Sequence, residues 1–184
     1  MLACAADLLT LFRGLVALWL VWLGATRGAS ALPMAVTITL IAWVGDSLDG
    51  WLARRARRPT LLGRYDFLVD VLLTWGALLY ITLSGFLPMW VTAVYTLLAG
   101  VAVAALQRKA VLVLFMRPVD LTCGVVALTG APEVRWMIAA TLAGLAVAQR
   151  QRLRTRLPRW LCEVAQMLHL SWLVEWIRRH RARR

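Results

Sequence analysis

The chain reads as an all-α integral membrane protein: six transmembrane helices, both termini cytoplasmic, and a C-terminal amphipathic helix lying at the membrane interface. Three observations lead there. Of its 184 residues, 61% are hydrophobic, more than a soluble domain carries. Uncharged apolar runs such as Met89–Leu106 are long enough for a hydrocarbon core about 30 Å thick. The formal charge of +12 is gathered in clusters at alternate ends of the apolar segments, the pattern that sets topology in a bilayer.

Turn signals divide the chain into spans at residues 9–25, 33–51, 66–83, 89–106, 110–128 and 134–148. The breaks fall at Gly28 to Pro33, at Ser84-Gly85-Phe86-Leu87-Pro88 and at Gly130-Ala131-Pro132, all rich in the residues that punctuate helices. The last span is short and leans on Arg135 and Arg150 reaching toward the two interfaces. Arg54, Arg55, Arg57, Arg58, Arg64, Arg108, Lys109 and the basic run from Arg150 onward fall on one side, against Arg27 and Arg135 on the other. Connections 52–65 and 107–109 are therefore expected inside, and 26–32, 84–88 and 129–133 outside. No small-residue cleavage site follows the first span, so we expect it to be retained.

Residues 1–150 form the six-span domain, and 151–184 a basic tail. The tail's apolar stretch is too short to span and is interrupted by Glu163 and Glu175. With Trp172 and Trp176 as anchors and a run of arginines after them, it suits the headgroup region. Docking of the tail on the rest of the protein is the competing reading. Cys4, Cys123 and Cys162 have no metal-ligand or paired spacing. Nucleic-acid binding is disfavoured, because no basic run is interleaved with aromatic residues in a soluble domain.

Two pairs of aspartates stand inside this apolar sequence. Asp46, Asp49, Gly50 and Ala53 fall at i, i+3, i+4 and i+7, so they share one helical stripe. Asp66 and Asp70, at i and i+4, share another. The link between them is short enough to make the two helices antiparallel neighbours, with four hard oxygen donors facing each other. Such a set suits Mg²⁺ or Mn²⁺. Gly50 and Ala53 lack bulk and let a ligand approach the helix, and Arg54 at the rim offers a cation to an anionic one. Asp46 lies eight residues before Arg54, about 12 Å along a helix. Asp70 and Arg117 fall at similar depth and Arg13 is embedded near the cytoplasmic end of the first span, so one polar cavity open to the cytoplasm accounts for all four. Interhelical ion pairs, Arg13 or Arg117 with an aspartate, are the competing use of these charges.

The stretch Asp46-x2-Asp49-Gly50-x2-Ala53-Arg54-x8-Gly63, followed by Asp66-x3-Asp70, resembles the signature of the CDP-alcohol phosphotransferase family. Leu8-Leu9-Thr10-Leu11-Phe12-Arg13 is similar to the Leu-Thr-x-x-Arg opening of many bacterial members, especially phosphatidylglycerophosphate synthases. The likeness covers the first three spans. It departs in the gap from Gly63 to Asp66, shorter by one residue, in Asp7 where many members have Asn, and in Phe67 and Val71 where those synthases often have Pro and Lys.

The resemblance implies transfer of a phosphatidyl group from a CDP-activated lipid alcohol to a hydroxyl, with release of CMP. Asp46, Asp49, Asp66 and Asp70 would hold divalent metal, and Asp70 would also serve as general base. Gly50, Ala53 and Arg54 would take the cytidine diphosphate. Glycerol 3-phosphate is the expected acceptor, with Arg108, Lys109 and Arg117 as its candidate ligands. An inositol phosphate, a phosphatidyl lipid or an amino-alcohol would keep the same chemistry, and a homodimer is implied by the likeness alone. Two other classes stay open on the sequence: an inactive membrane scaffold and a small cation-coupled transporter.

Overall fold

The computed structural model of the chain describes residues 2–55, 62–63 and 65–148, and the side chains of residues 4–48, 62, 63 and 65–148. Five long helices run in order: α1 (Leu2–Arg27), α2 (Leu32–Arg55), α3 (Asp66–Leu83), α4 (Met89–Leu106) and α5 (Lys109–Gly130). Residues 135–148 are helical as well.

The face that α1 buries identifies its solvent. Ala6, Thr10, Arg13, Ala17 and Leu20 are buried, whereas Leu8, Leu11, Leu15, Leu18 and Trp22 are exposed. Both sets advance by alternate steps of three and four residues, so each is one stripe of a helix. Water would demand the opposite arrangement. With polar and small residues inward and leucines outward, the helix is suited to lipid.

Small residues also set how closely the helices approach. A Cβ on Gly76 of α3 would stand 2.7 Å from the Ala17 carbonyl oxygen of α1, and one on Gly24 would stand 3.1 Å from the Tyr80 backbone. Backbone therefore meets backbone along the α1–α3 seam, where packing is most extensive. The core clusters around α1, α2 and α3, with Val119 and Ala127 of α5 and Ile138 joining it.

Each connection has a local cause. A 3-10 turn at Gly28–Ala31 folds α2 back on α1, using the left-handed Gly28 (φ +58°) and Pro33 in the first turn of α2. At the end of α3, the Phe86 amide donates to the Ile81 carbonyl (2.9 Å) and the Gly85 amide to that of Thr82 (3.0 Å). Those two bonds around a residue of φ +80° make a Schellman cap, and Pro88 prevents the helix from resuming. Gln107, with φ 47° and ψ 31°, closes α4 in the left-handed region. The Tyr95 hydroxyl then donates to the Phe115 carbonyl at 2.6 Å, tying α4 to α5.

The expectation of six transmembrane helices is overturned. Among the described residues, four stretches are long and apolar enough to cross a bilayer: Cys4–Leu48, Asp66–Leu83, Met89–Leu106 and Lys109–Gly130. The first two expected spans fall in one apolar stretch of 45 residues, which takes in α1 from Cys4, the 3-10 turn at Gly28–Ala31 and α2 as far as Leu48. The expected sixth span has only residues 135–148 in helix among those described. At 1.5 Å per residue these cover about 21 Å, short of the hydrocarbon thickness. The fold is all-α with four long apolar candidate spans. The expected interfacial helix in 151–184 lies outside the described residues.

Candidate metal centre

Three helices meet where the acidic residues gather. Asp46 comes from α2, Asp66 opens α3, and Asp70 follows one turn later on the same face. Asp66 gains from its place in the first turn, where unpaired backbone N–H groups and the helix dipole favour a negative charge. One carboxylate oxygen from each of Asp46, Asp66 and Asp70 lies within 4.8 Å of the others. Two metal–oxygen bonds of about 2.1 Å, set in line, span about 4.2 Å. At most one pair of three ligands can lie in line and the others stand closer, so the carboxylates must draw together to close on a divalent cation; three hard oxygen donors suit Mg²⁺ or Mn²⁺ without selecting between them.

α1 contributes the counter-charge. The Arg13 side chain is fully buried, at 0% exposure, beneath carboxylates that are 36–42% exposed. Its Nη1 donates to Asp46 Oδ1 at 2.7 Å and also to Asp70 Oδ1, while its Nη2 donates to Asp66 Oδ1. The guanidinium thus joins all three acids through its planar fork. Thr10, one turn earlier, donates its hydroxyl to Asp66 Oδ1 at 3.4 Å. Asp7 accepts the Leu62 amide at 2.8 Å, which ties the link ahead of α3 to the start of α1. Three carboxylates and one guanidinium leave a formal charge of −2 (−3 + 1). A divalent cation matches that charge.

The centre faces a cavity of about 470 Å³ lined by Arg13, Asp46, Asp70, Thr74, Arg117 and Asp120, among others. A second, mainly apolar cavity of about 500 Å³ shares Trp43, Arg117, Asp120 and Leu142 with the first. The polar chamber therefore borders an apolar one inside the bundle.

Of the other residues expected at the site, Asp49, Gly50, Ala53 and Arg54 lie on the α2 backbone, and their side chains fall outside those described. Arg108 is exposed and stands as the N-cap of α5. Lys109, also exposed, places its Nζ 5.8 Å from the centre of the Phe67 ring, beside Asp66. Arg117 pairs with Asp120 of its own helix (Nη1–Oδ2 2.9 Å).

Sequence reasoning weighed an ion pair of Arg13 with an aspartate, which the structure shows, but it did not foresee three acids on one guanidinium, and it gave Thr10 and Asp7 no role. The signal was present: Thr10 and Arg13 interrupt a stripe otherwise made of Ala6, Ala17 and Leu20. Polar groups on the face that packs against neighbours need partners there.

Set against known families, residues 3–150 match the family model described as CDP-alcohol phosphatidyltransferase. No curated protein and no solved structure matches the chain.

Proposed function

Since the chain belongs to the CDP-alcohol phosphatidyltransferase family, we propose that it transfers the phosphatidyl group of CDP-diacylglycerol to the hydroxyl of glycerol 3-phosphate, releasing CMP. The observation that carries this reading is the convergence of Asp46, Asp66 and Asp70, from two parts of the signature, on one candidate metal site. Support for the acceptor comes from the Leu-Thr-x-x-Arg opening at Leu9 to Arg13 and from three basic residues, Arg108, Lys109 and Arg117, on or beside α5.

In this reading Asp46, Asp49, Asp66 and Asp70 hold Mg²⁺ or Mn²⁺. When bound, such a cation neutralises the donor diphosphate and makes CMP a better leaving group. Gly50, Ala53 and Arg54 receive the cytidine diphosphate. Asp70 takes the proton of the acceptor hydroxyl as that oxygen bonds to the phosphorus bearing the diacylglycerol. The bond from that phosphorus to the bridging oxygen breaks, and CMP leaves with the electron pair. Acyl chains remain in the bilayer while the headgroup enters from the side rich in arginine, which the charge asymmetry assigns to the cytoplasm.

Purified protein in detergent, supplied with CDP-diacylglycerol and Mg²⁺ or Mn²⁺, tests the proposal. CMP release is expected to require metal and glycerol 3-phosphate, and to be abolished by Asp70→Asn. Release that prefers an inositol phosphate, an amino-alcohol or a phosphatidyl lipid would replace the acceptor and keep the chemistry. Absence of CMP with every acceptor would overturn the enzyme reading.

A further inference from the structure

α5 brings a second charge pair into the chamber that faces the acidic centre, and the signature accounts for neither member. Arg117 and Asp120 lie one turn apart and bond at 2.9 Å. Both stand near the middle of the Lys109–Gly130 stretch, where a lone charge in apolar surroundings is costly and a paired one far less so. Both also line the polar cavity with Asp46 and Asp70, and the apolar cavity beside it. The two side chains differ in access. Arg117 is 61% exposed and Asp120 22% exposed, so the guanidinium reaches into open space while the carboxylate stays closer to the packed wall.

A guanidinium carries five N–H donors, and a single carboxylate contact leaves most of them for another anion. Arg117 is therefore placed to meet a phosphate entering beside the acidic centre, with Asp120 as that phosphate's competitor. We infer that Arg117 and Asp120 form an exchangeable ion pair that sets acceptor selectivity. Asp120 holds the charge of Arg117 until an acceptor phosphate displaces it, and so penalises phosphate-bearing acceptors relative to neutral ones. Asp120 is a positioning residue that acts through Arg117. The inference rests on the transfer reading for its substrate, but the pairing itself can be examined without turnover.

The test compares wild type, Asp120→Asn, Arg117→Gln and the double variant, each confirmed folded by its melting temperature in detergent. Asp120→Asn keeps the side chain's shape and removes its charge. It is expected to lower the ratio of KM for glycerol 3-phosphate to KM for glycerol by about fivefold, the weight of one partly exposed ion pair. In the Arg117→Gln background the same change is expected to leave the ratio unmoved, which a merely structural role for Asp120 would not produce. Binding of inorganic phosphate, followed by calorimetry without donor, is expected to tighten by a similar factor in Asp120→Asn. If CMP is released but the ratio does not move in Asp120→Asn, the exchange is refuted and the transfer reading survives. If no acceptor yields CMP but phosphate binding tightens only while Arg117 is present, the exchange stands and the transfer reading fails. Should Asp120→Asn fail to fold, Arg117→Lys takes its place: it keeps the charge and loses the fork, so weaker phosphate binding supports the pair's role and unchanged binding overturns it.

Discussion

Replacing Arg13 with glutamine removes the positive charge that, among the described residues, is held between Asp46, Asp66 and Asp70, and leaves three carboxylate oxygens within 4.8 Å of one another. Breaking a buried ion pair by deleting one partner costs about 3–5 kcal/mol. Here the guanidinium is fully buried, but the carboxylates are 36–42% exposed, so water relieves part of the repulsion. A loss near the lower bound, about 3 kcal/mol, follows. For a chain of 150–250 residues each kcal/mol shifts Tm by about 2–4 °C, so the metal-free variant should melt roughly 6–12 °C below wild type.

The assay is thermal unfolding in detergent, first with EDTA and then across a Mn²⁺ titration. Because a divalent cation supplies charge where the guanidinium was, Mn²⁺ is expected to raise the Tm of Arg13→Gln by more than it raises that of wild type. Arg13→Lys keeps the charge but cannot contact three acids through one fork, and should fall between the two. Equal melting of wild type and Arg13→Gln in EDTA would refute the counter-charge argument. So would a metal response no larger in the variant than in wild type.

Two further substitutions test the helix contacts that position the centre. Gly76→Ala puts a Cβ 2.7 Å from the Ala17 carbonyl oxygen, so the α1–α3 seam must open, with a loss of about 1–3 kcal/mol by thermal melting; Gly14→Ala, which meets nothing within 4 Å, is the neutral control. Gly85→Ala forces a side chain onto a residue at φ +80° and is expected to cost about 1–2 kcal/mol without altering Mn²⁺ affinity measured by electron paramagnetic resonance, because the turn lies at the far end of α3 from Asp66 and Asp70.

Much of the centre was legible because helical periodicity is local. Spacings of three and four residues place Asp46 beside Asp49, and Asp66 beside Asp70, on shared stripes whatever the rest of the chain does. Turn chemistry was legible for the same reason: Gly85 and Pro88 specify the end of α3 from their own backbone constraints. The contents of the space between helices were less accessible. Arg13 and Asp70 are separated by 57 residues, and no local pattern says that a guanidinium from α1 enters the acidic set. The number of spans failed on a related point. Charge alternation and turn residues count segments, but they do not measure how far each runs as helix; among the described residues the last runs over 135–148. The turn at Gly28–Ala31 was read correctly as a break, yet the apolar stretch Cys4–Leu48 runs across it.

α1 shows how charges can be concentrated in an apolar bundle. It packs against both helices that carry the acidic set, and it carries the group that partly neutralises them. The acidic residues of α3 occupy its first two turns, near the end that the basic residues Arg108 and Lys109 also approach from the start of α5. Placing the charges near helix ends keeps their path to water short, and placing Arg13 beneath them limits the repulsion among them. Moving Arg13 one turn toward Ala17 would carry its head into the seam where Gly76 already meets backbone. The position of the guanidinium is therefore fixed by steric limits on one side and by the carboxylates on the other, which is why its removal should disturb the metal-free protein more than the loss of any single acid.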